Sequence, residues 1–394
     1  MNATPSEPPR RGLAGRPVLT VTIALAALIG AGLGGVALAN RGDDLGPPRW
    51  QTPAGAAPAA SSEPSEEAPA AGAKSISLSA TGDIIMGSAP NKLPANGGEG
   101  FFDDVAEALK ADLVMGNLEQ PLTGDTGTSK CGTPPRPNCF AFRAPPEYAA
   151  HLKDAGFELL NMANNHGKDY GPVGFANTQK ALEAQGLAHT GAEGEIATVE
   201  VEGITVAVVG FASYAGLNLL TDIGAAEEIV KKADEEADLV VVQVHMGAEG
   251  ADKTRVKPGT ETFFGENRGD PMKFSRAVID AGADLVVGHG PHVLRGMEFY
   301  NDRLIAYSLG NFAGGGKTLS RTGRLGWGGV LKVSLTKDGA FTGGEFLSTR
   351  MNSSGVPTRD TDENGRELVN QLSADDFGAD GVKIGDDGKI APRS

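Results

Sequence analysis

Two histidines three residues apart, His289 and His292, follow the apolar run Leu285-Val286-Val287 on a Gly/Pro-rich turn, LVVGHGPH. Such a run fills a buried strand, and strand ends that break into polar loops are where α/β sheets keep their binding sites. Neutral imidazole is the commonest transition-metal ligand, so two on one short loop suggest half of a metal site. The pair alone fits equally well a turn cap beside a buried hydrogen bonder. The pattern recurs, however. Asp83 follows 75–81 (SISLSAT), Glu119 follows 112–115 (DLVM), Asn165 and His166 follow 157–162 (FELLNM), and His245 follows 239–244 (LVVVQV), with Glu249 four residues on. A further run, 304–307 (LIAY), breaks at Gly310-Asn311. Four of the six histidines fall at these ends. Of the other two, His151 on a helical stretch reads as a surface residue and His189 in a polar loop as structural. If the strands are neighbours with their carboxyl ends aligned, these side chains converge. Mixed Asp, Glu, Asn and His ligation suits one or two ions of zinc, manganese or iron rather than calcium, which prefers oxygen alone. A bridging carboxylate with several imidazoles is the usual make-up of a two-metal hydrolytic site.

The positioning elements alternate strand and helix. Helical stretches are expected at 102–111, 145–156 (Pro in the first turn, Gly at the end), 171–185, 225–237 and 271–282. The apolar run 203–211 is a further buried strand. Runs 327–335 and 341–347 read as antiparallel strands around the turn Lys337-Asp338-Gly339. The acidic tail 351–394 holds one short helix, 363–372, and a hairpin around Asp386-Asp387-Gly388, so it is expected to be partly ordered.

Ahead of the folded part lie three segments of different composition. Residues 1–16 are polar and basic, 17–39 carry no charge, and 40–74 are rich in Ala, Pro, Ser and Glu. The second is long enough to span a bilayer, and its basic flank places the N-terminus in the cytoplasm and the bulk of the chain outside. A cleavable signal segment ending near Ala37-Leu38-Ala39 is the alternative, and it exports the chain equally. The third segment cannot bury enough apolar surface to fold and reads as a disordered spacer. Cys131 and Cys139, the only cysteines, bracket a Pro/Gly-rich loop. In an exported chain they are expected to form a loop-stapling disulfide. A net charge of −15 over 394 residues argues against a nucleic-acid partner.

The ordered series GD, GNLE, NNH, HxGxE, GHxPH and SLGNF over 75–350 resembles the CapA-type proteins of poly-γ-glutamate capsule synthesis, a branch of the calcineurin-like metallophosphatase superfamily. The resemblance implies a four-layer αββα sandwich of two mixed sheets. It implies metal ligation by Asp83, Glu119, Asn165, His245, His289 and His292, with His166 contacting phosphate and acting as general acid. Glu249 and Asn311 match family signatures beside the metals, and Arg143, in FRAP, is a candidate anion binder. Three departures stand out. Ile85 occupies the place of a first-motif histidine, Glu119 that of a bridging aspartate, and Gly290 that of a further histidine often found in relatives.

Two functions follow. One is metal-dependent hydrolysis of a phosphoester or amide outside the membrane, with His166 protonating the leaving group. The other is a non-catalytic capsule factor that binds or anchors an anionic polymer within a membrane synthesis or export complex, with bound metal supplying the cation. The topology is directly testable: a reporter fused after Ser394 should be active only outside the cell, and cytoplasmic activity would overturn the export assignment.

Overall fold

The computed structural model describes residues 74–393. The basic tail, the uncharged 17–39 segment and the spacer up to residue 73 lie outside the described residues. No helix among the described residues is long and apolar enough to cross a membrane.

Two mixed sheets form the centre. The larger runs, edge to edge, through Pro357–Arg359, Phe341–Met351, Trp327–Thr336, Ser75–Ile85, Leu113–Leu118, Leu159–Asn161 and Ala188–Thr190, with Asn311–Gly314 joining the end of Ser75–Ile85. The second runs through Met297–Tyr300, Arg303–Ala306, Leu285–His289, Leu239–His245, Ile204–Ala212 and Ala197–Val201, with Asn218–Leu219 alongside. In each sheet the strands that carry the candidate residues are parallel neighbours.

Side-chain alternation explains the layering. Ile76, Leu78 and Ala80 face inward with Leu113 and Met115, against Val206, Val208, Val241, Leu285 and Val287 of the other sheet. The opposite faces are apolar too. Val114, Leu118 and Leu160 lie under Leu152 and Leu182 of the helices Ala149–Asp154 and Gly171–Ala184. Ala207, Val209, Val240 and Val242 lie under Val230 of Ile223–Glu236 and Phe274 and Val278 of Pro271–Asp280. Strands buried on both faces read as continuous apolar runs, the signature of covered parallel sheets. The result is the expected four-layer αββα sandwich. Two of its helices start where capping chemistry dictates: Asp222 accepts from Ala225 N at 3.2 Å and Asp270 from Lys273 N at 3.0 Å.

The 102–111 stretch is not one helix. It is a 3-10 turn, Asp103–Val105, followed by one α-helical turn, Ala106–Leu109. Its apolar spacing is met by docking Phe102, Val105 and Leu109 into the core, which a single turn achieves. The acidic tail is more ordered than its composition suggests. Its helix, Asn364–Phe377, and the hairpin Val382–Ile384 with Ile390–Pro392 contribute Leu368, Val369, Leu372, Val382 and Ile390 to the inter-sheet core. Leu372→Ala should therefore destabilise the protein by about 2–5 kcal/mol. Denaturant unfolding checks this, and a neutral effect would show the tail to be an appendage.

Candidate metal centre

The strand Ser75–Ile85 breaks register with Leu113–Leu118 between Ala80 and Asp83, and with Asn311–Gly314 just after Asp83. Such irregularities re-aim a side chain at the end of a sheet. A Cβ on Gly82 would sit 2.0 Å from Gly310 O, so only glycine permits this approach. Asp83 is thereby turned toward the second sheet, where it is fully buried. There, His245 and His289 end adjacent parallel strands in direct register. Gly288 and Gly290 carry the chain past them to His292, which holds φ +59°, a left-handed conformation that is unusual off glycine and recurs at ligand sites.

Asp83, Glu119 and His292 each offer a ligand atom, all within 4.8 Å of one another. His292 Nδ1 lies 2.9 Å from Asn311 Oδ1 and 3.1 Å from Asp83 Oδ2. One N–H cannot satisfy both, and the geometry gives it to Asn311. In the neutral ring Nε2, 3.6 Å from both Glu119 Oε1 and Glu249 Oε2, then offers its lone pair to an ion. His245 Nε2 lies 3.2 Å from Glu119 Oε1. His289 Nε2 meets Gln243 Oε1 at 3.3 Å, while its Nδ1 lies 3.6 Å from Asp83 Oδ1. Asn165 stands one step out: its amide donates to Glu249 Oε1 at 3.2 Å. Asp83 Oδ2, Glu119 Oε2, Asn165 Oδ1, His245 Nδ1 and His289 Nδ1 are buried without a hydrogen bond among the described residues. Buried polar atoms are ordinarily paired. This many orphans around one carboxylate–imidazole cluster fit a divalent cation and its water.

His166 lines the cleft beside this centre. Its Nδ1 lies 2.8 Å from Asp169 Oδ2, and the other Asp169 oxygen forms an ion pair with Lys130 Nζ at 2.6 Å. Lys130 directly precedes Cys131, which is bonded to Cys139 as expected, so the stapled loop delivers a cation onto the His–Asp pair.

Residues 77–315 match the family model described as bacterial capsule synthesis protein PGA_cap. The chain belongs to this family. The PGA biosynthesis protein CapA of Bacillus subtilis (strain 168) is 33% identical over 256 residues, covering 60% of this chain and 63% of that protein. The capsule biosynthesis protein CapA of Bacillus anthracis is 34% identical over 260 residues, covering 60% and 59%. The chain thus spans about three fifths of the length of each of these relatives. Among solved structures, a 5′-nucleotidase precursor from Thermus thermophilus superposes with a TM-score of 0.40 at 13% identity, over 77% of this chain and 59% of that one.

In this family member, sequence motifs and geometry coincide unevenly. Asn311 supports His292, and its own amide donates to Leu325 O at 2.9 Å. Glu249 is held by Arg268 at 2.9 Å. Arg143 lies elsewhere: it pairs with Asp125 at 3.4 Å, stacks over Tyr170 and does not line the cleft with His166. His151 meets Gly97 O, and His189 pairs with Glu183 and Glu195, both structural arrangements. Several working residues had no assigned role in the motifs. Asn117, within GNLE, donates to Asp83 Oδ1 at 2.9 Å and accepts from Asn161 and Asn164, each at 3.0 Å. Asp169 and Lys130 had no signal beyond their nearness to His166 and Cys131.

The charges answer one another. Burial works to raise Asp83, but its contact with His292 and the neighbouring imidazoles hold it at about 2. Burial pushes Glu119 up to about 8. Burial depresses His289 to about 4 and, helped by Arg268, His245 to about 3. Burial also works against a charge on His292, but Glu119, Asp83 and Glu249 raise it well above its usual value. Without metal, Glu119 and His292 therefore hold protons at neutral pH, and an ion must displace them. Raising the pH removes both competitors, so zinc affinity should climb from pH 6 to 8, through the Glu119 value, with the raised His292 adding to the slope. Titration calorimetry across that range checks the slope; a flat profile would contradict it. His292→Ala should lose metal by elemental analysis while His151→Ala retains it.

Proposed function

We propose that this capsule-family protein is an extracytoplasmic, metal-dependent hydrolase of the phosphoesterase type. The observation that carries the reading is the convergence of Asp83, Glu119 and His292 from two sheets beside a cleft edged by His166. Asp83, Glu119 and His292, joined by His245 and His289, would hold the ion or ions, drawn from manganese, iron or zinc. A divalent ion bound there neutralises phosphoryl charge and makes water acidic enough to attack near neutral pH. The protein's own groups supply the rest. Water adds to phosphorus and gives up one proton to solvent, the ester P–O bond breaks, and the leaving oxygen takes a proton from protonated His166. Asp169 holds His166 through Nδ1, and in the doubly protonated ring Nε2 is the nitrogen left to give its proton to the leaving oxygen. Lys130 balances the Asp169 charge, and Asn165 lines the approach.

A second reading is a non-catalytic component that binds an anionic polymer within a capsule synthesis complex. It is favoured by the cations Lys130, Arg136, Lys168 and Arg268 gathered at one cleft of a chain with net charge −15. One variant separates the two. His166→Asn should keep its metal and lose about 10²–10⁴-fold in phosphoester hydrolysis. No turnover in the parent metal-loaded protein would favour the binding role, and unchanged turnover in the variant would remove His166 from the chemistry.

A further inference from the structure

We propose that the cleft beside the metal centre selects phosphorylated compounds carrying a flat aromatic ring, which it grips between Phe140 and Phe264. This inference rests on the hydrolase reading and names its substrate class. The cleft encloses about 610 Å³, the size of a small-molecule site. Asn165, His166 and Glu249 line its catalytic side. Phe140, Tyr214, Phe263 and Phe264 also line it, in a chain only 6% aromatic.

Two of these rings are largely exposed, Phe264 with its centroid 4.3 Å from that of Phe263. Phe140 is 63% exposed and Phe264 84%, and they are two of only four large apolar side chains exposed among the described residues. Both sit on rigid mounts. Phe140 directly follows the disulfide-bonded Cys139. Phe264 tops the two-residue turn between the strands Thr262–Phe263 and Glu266–Asn267, at φ +48°, with Gly265 at φ +83°. A turn with positive φ at both central residues favours Asn-Gly, and a bulky residue at the first position is strained. Phe264 serves neither the turn nor the core, which leaves its ring as the reason for its place. Stacking on such faces rewards a planar partner.

The polar lining calls for an anion attached to that ring. Arg136 and Lys168 donate to backbone carbonyls, Lys130 O for the first and Ala215 O and Gly216 O for the second, and form no ion pair among the described residues. Arg268 is 3% exposed, and its Nη1 has no partner among the described residues. Its other nitrogens already pair with Glu249 and Glu266, so the cations free to meet a phosphoryl group at this lining are Arg136 and Lys168. A polyglutamate chain would satisfy the cations but offers the rings nothing flat.

Phosphonates test this without turnover, because their P–C bond is not hydrolysed. Phenylphosphonate and methylphosphonate share the anionic head and differ in the ring. Calorimetry on the metal-loaded full chain should show phenylphosphonate binding about tenfold tighter, the scale of one good aromatic contact. The double variant Phe140→Ala/Phe264→Ala should erase that ratio while keeping methylphosphonate affinity. Equal affinities in the parent protein, no binding of either, an undiminished ratio in the variant, or displacement of phenylphosphonate by a short γ-linked oligoglutamate at lower concentration would each overturn the inference. Ring-selective binding without any phosphoester hydrolysis would sustain it and count against the hydrolase reading alone.

Discussion

Asp83 and Glu119 lie side by side, without access to water, where the ends of two sheets meet. Two buried carboxylates in one pocket cannot both remain ionised unless positive or hydrogen-bonding groups answer them. The surroundings follow from that constraint. Asn117 fixes one oxygen of Asp83, His289 and His292 face the carboxylate, and His245 faces Glu119. The packing of the two sheets is what keeps these groups in reach, since no single sheet carries both the acids and the imidazoles. Inter-sheet burial and the site are thus one structural problem. A loss of core packing would separate charges as well as expose apolar surface.

Beyond this joint, short covalent and conformational devices set the detail. The irregularity at Asp83 and the left-handed His292 each turn a side chain that a regular strand would have aimed elsewhere. Arg295 works at longer range. It is fully buried, pairs with Glu261 at 2.8 Å and donates to Lys253 O and Ala248 O, tying the long loop after His245 to the strand system. That loop brings Glu249 to His292 and carries the Phe264 turn.

Much of the plan was legible in the sequence because its signal is local. Apolar runs marked the buried strands, and a polar residue directly after a run marked a strand end, so Asp83, Glu119, His245, His289 and His292 could be named without knowing how the strands pair. The pairing itself was not legible, and it decides who touches whom: Asn165 donates to Glu249, outside the group of Asp83, Glu119 and His292. Arg143 carries the right chemistry for an anion, yet Asp125 and Tyr170 hold it. Asp169 and Lys130 meet His166 through a turn and a stapled loop, which leave no periodic trace. The tail looked acidic and loose because its few apolar residues are widely spaced, though enough of them face one way to close the core.

The margins of the larger sheet are short. It ends on one side at Pro357–Arg359 and on the other at Ala188–Thr190, three residues each, and the first begins with a proline. An exposed edge is a template on which a second chain can add a strand, and brevity and proline both blunt it. The sheet therefore offers little to a neighbouring copy, and crowding many copies together carries a low risk of their zipping into fibrils through this sheet.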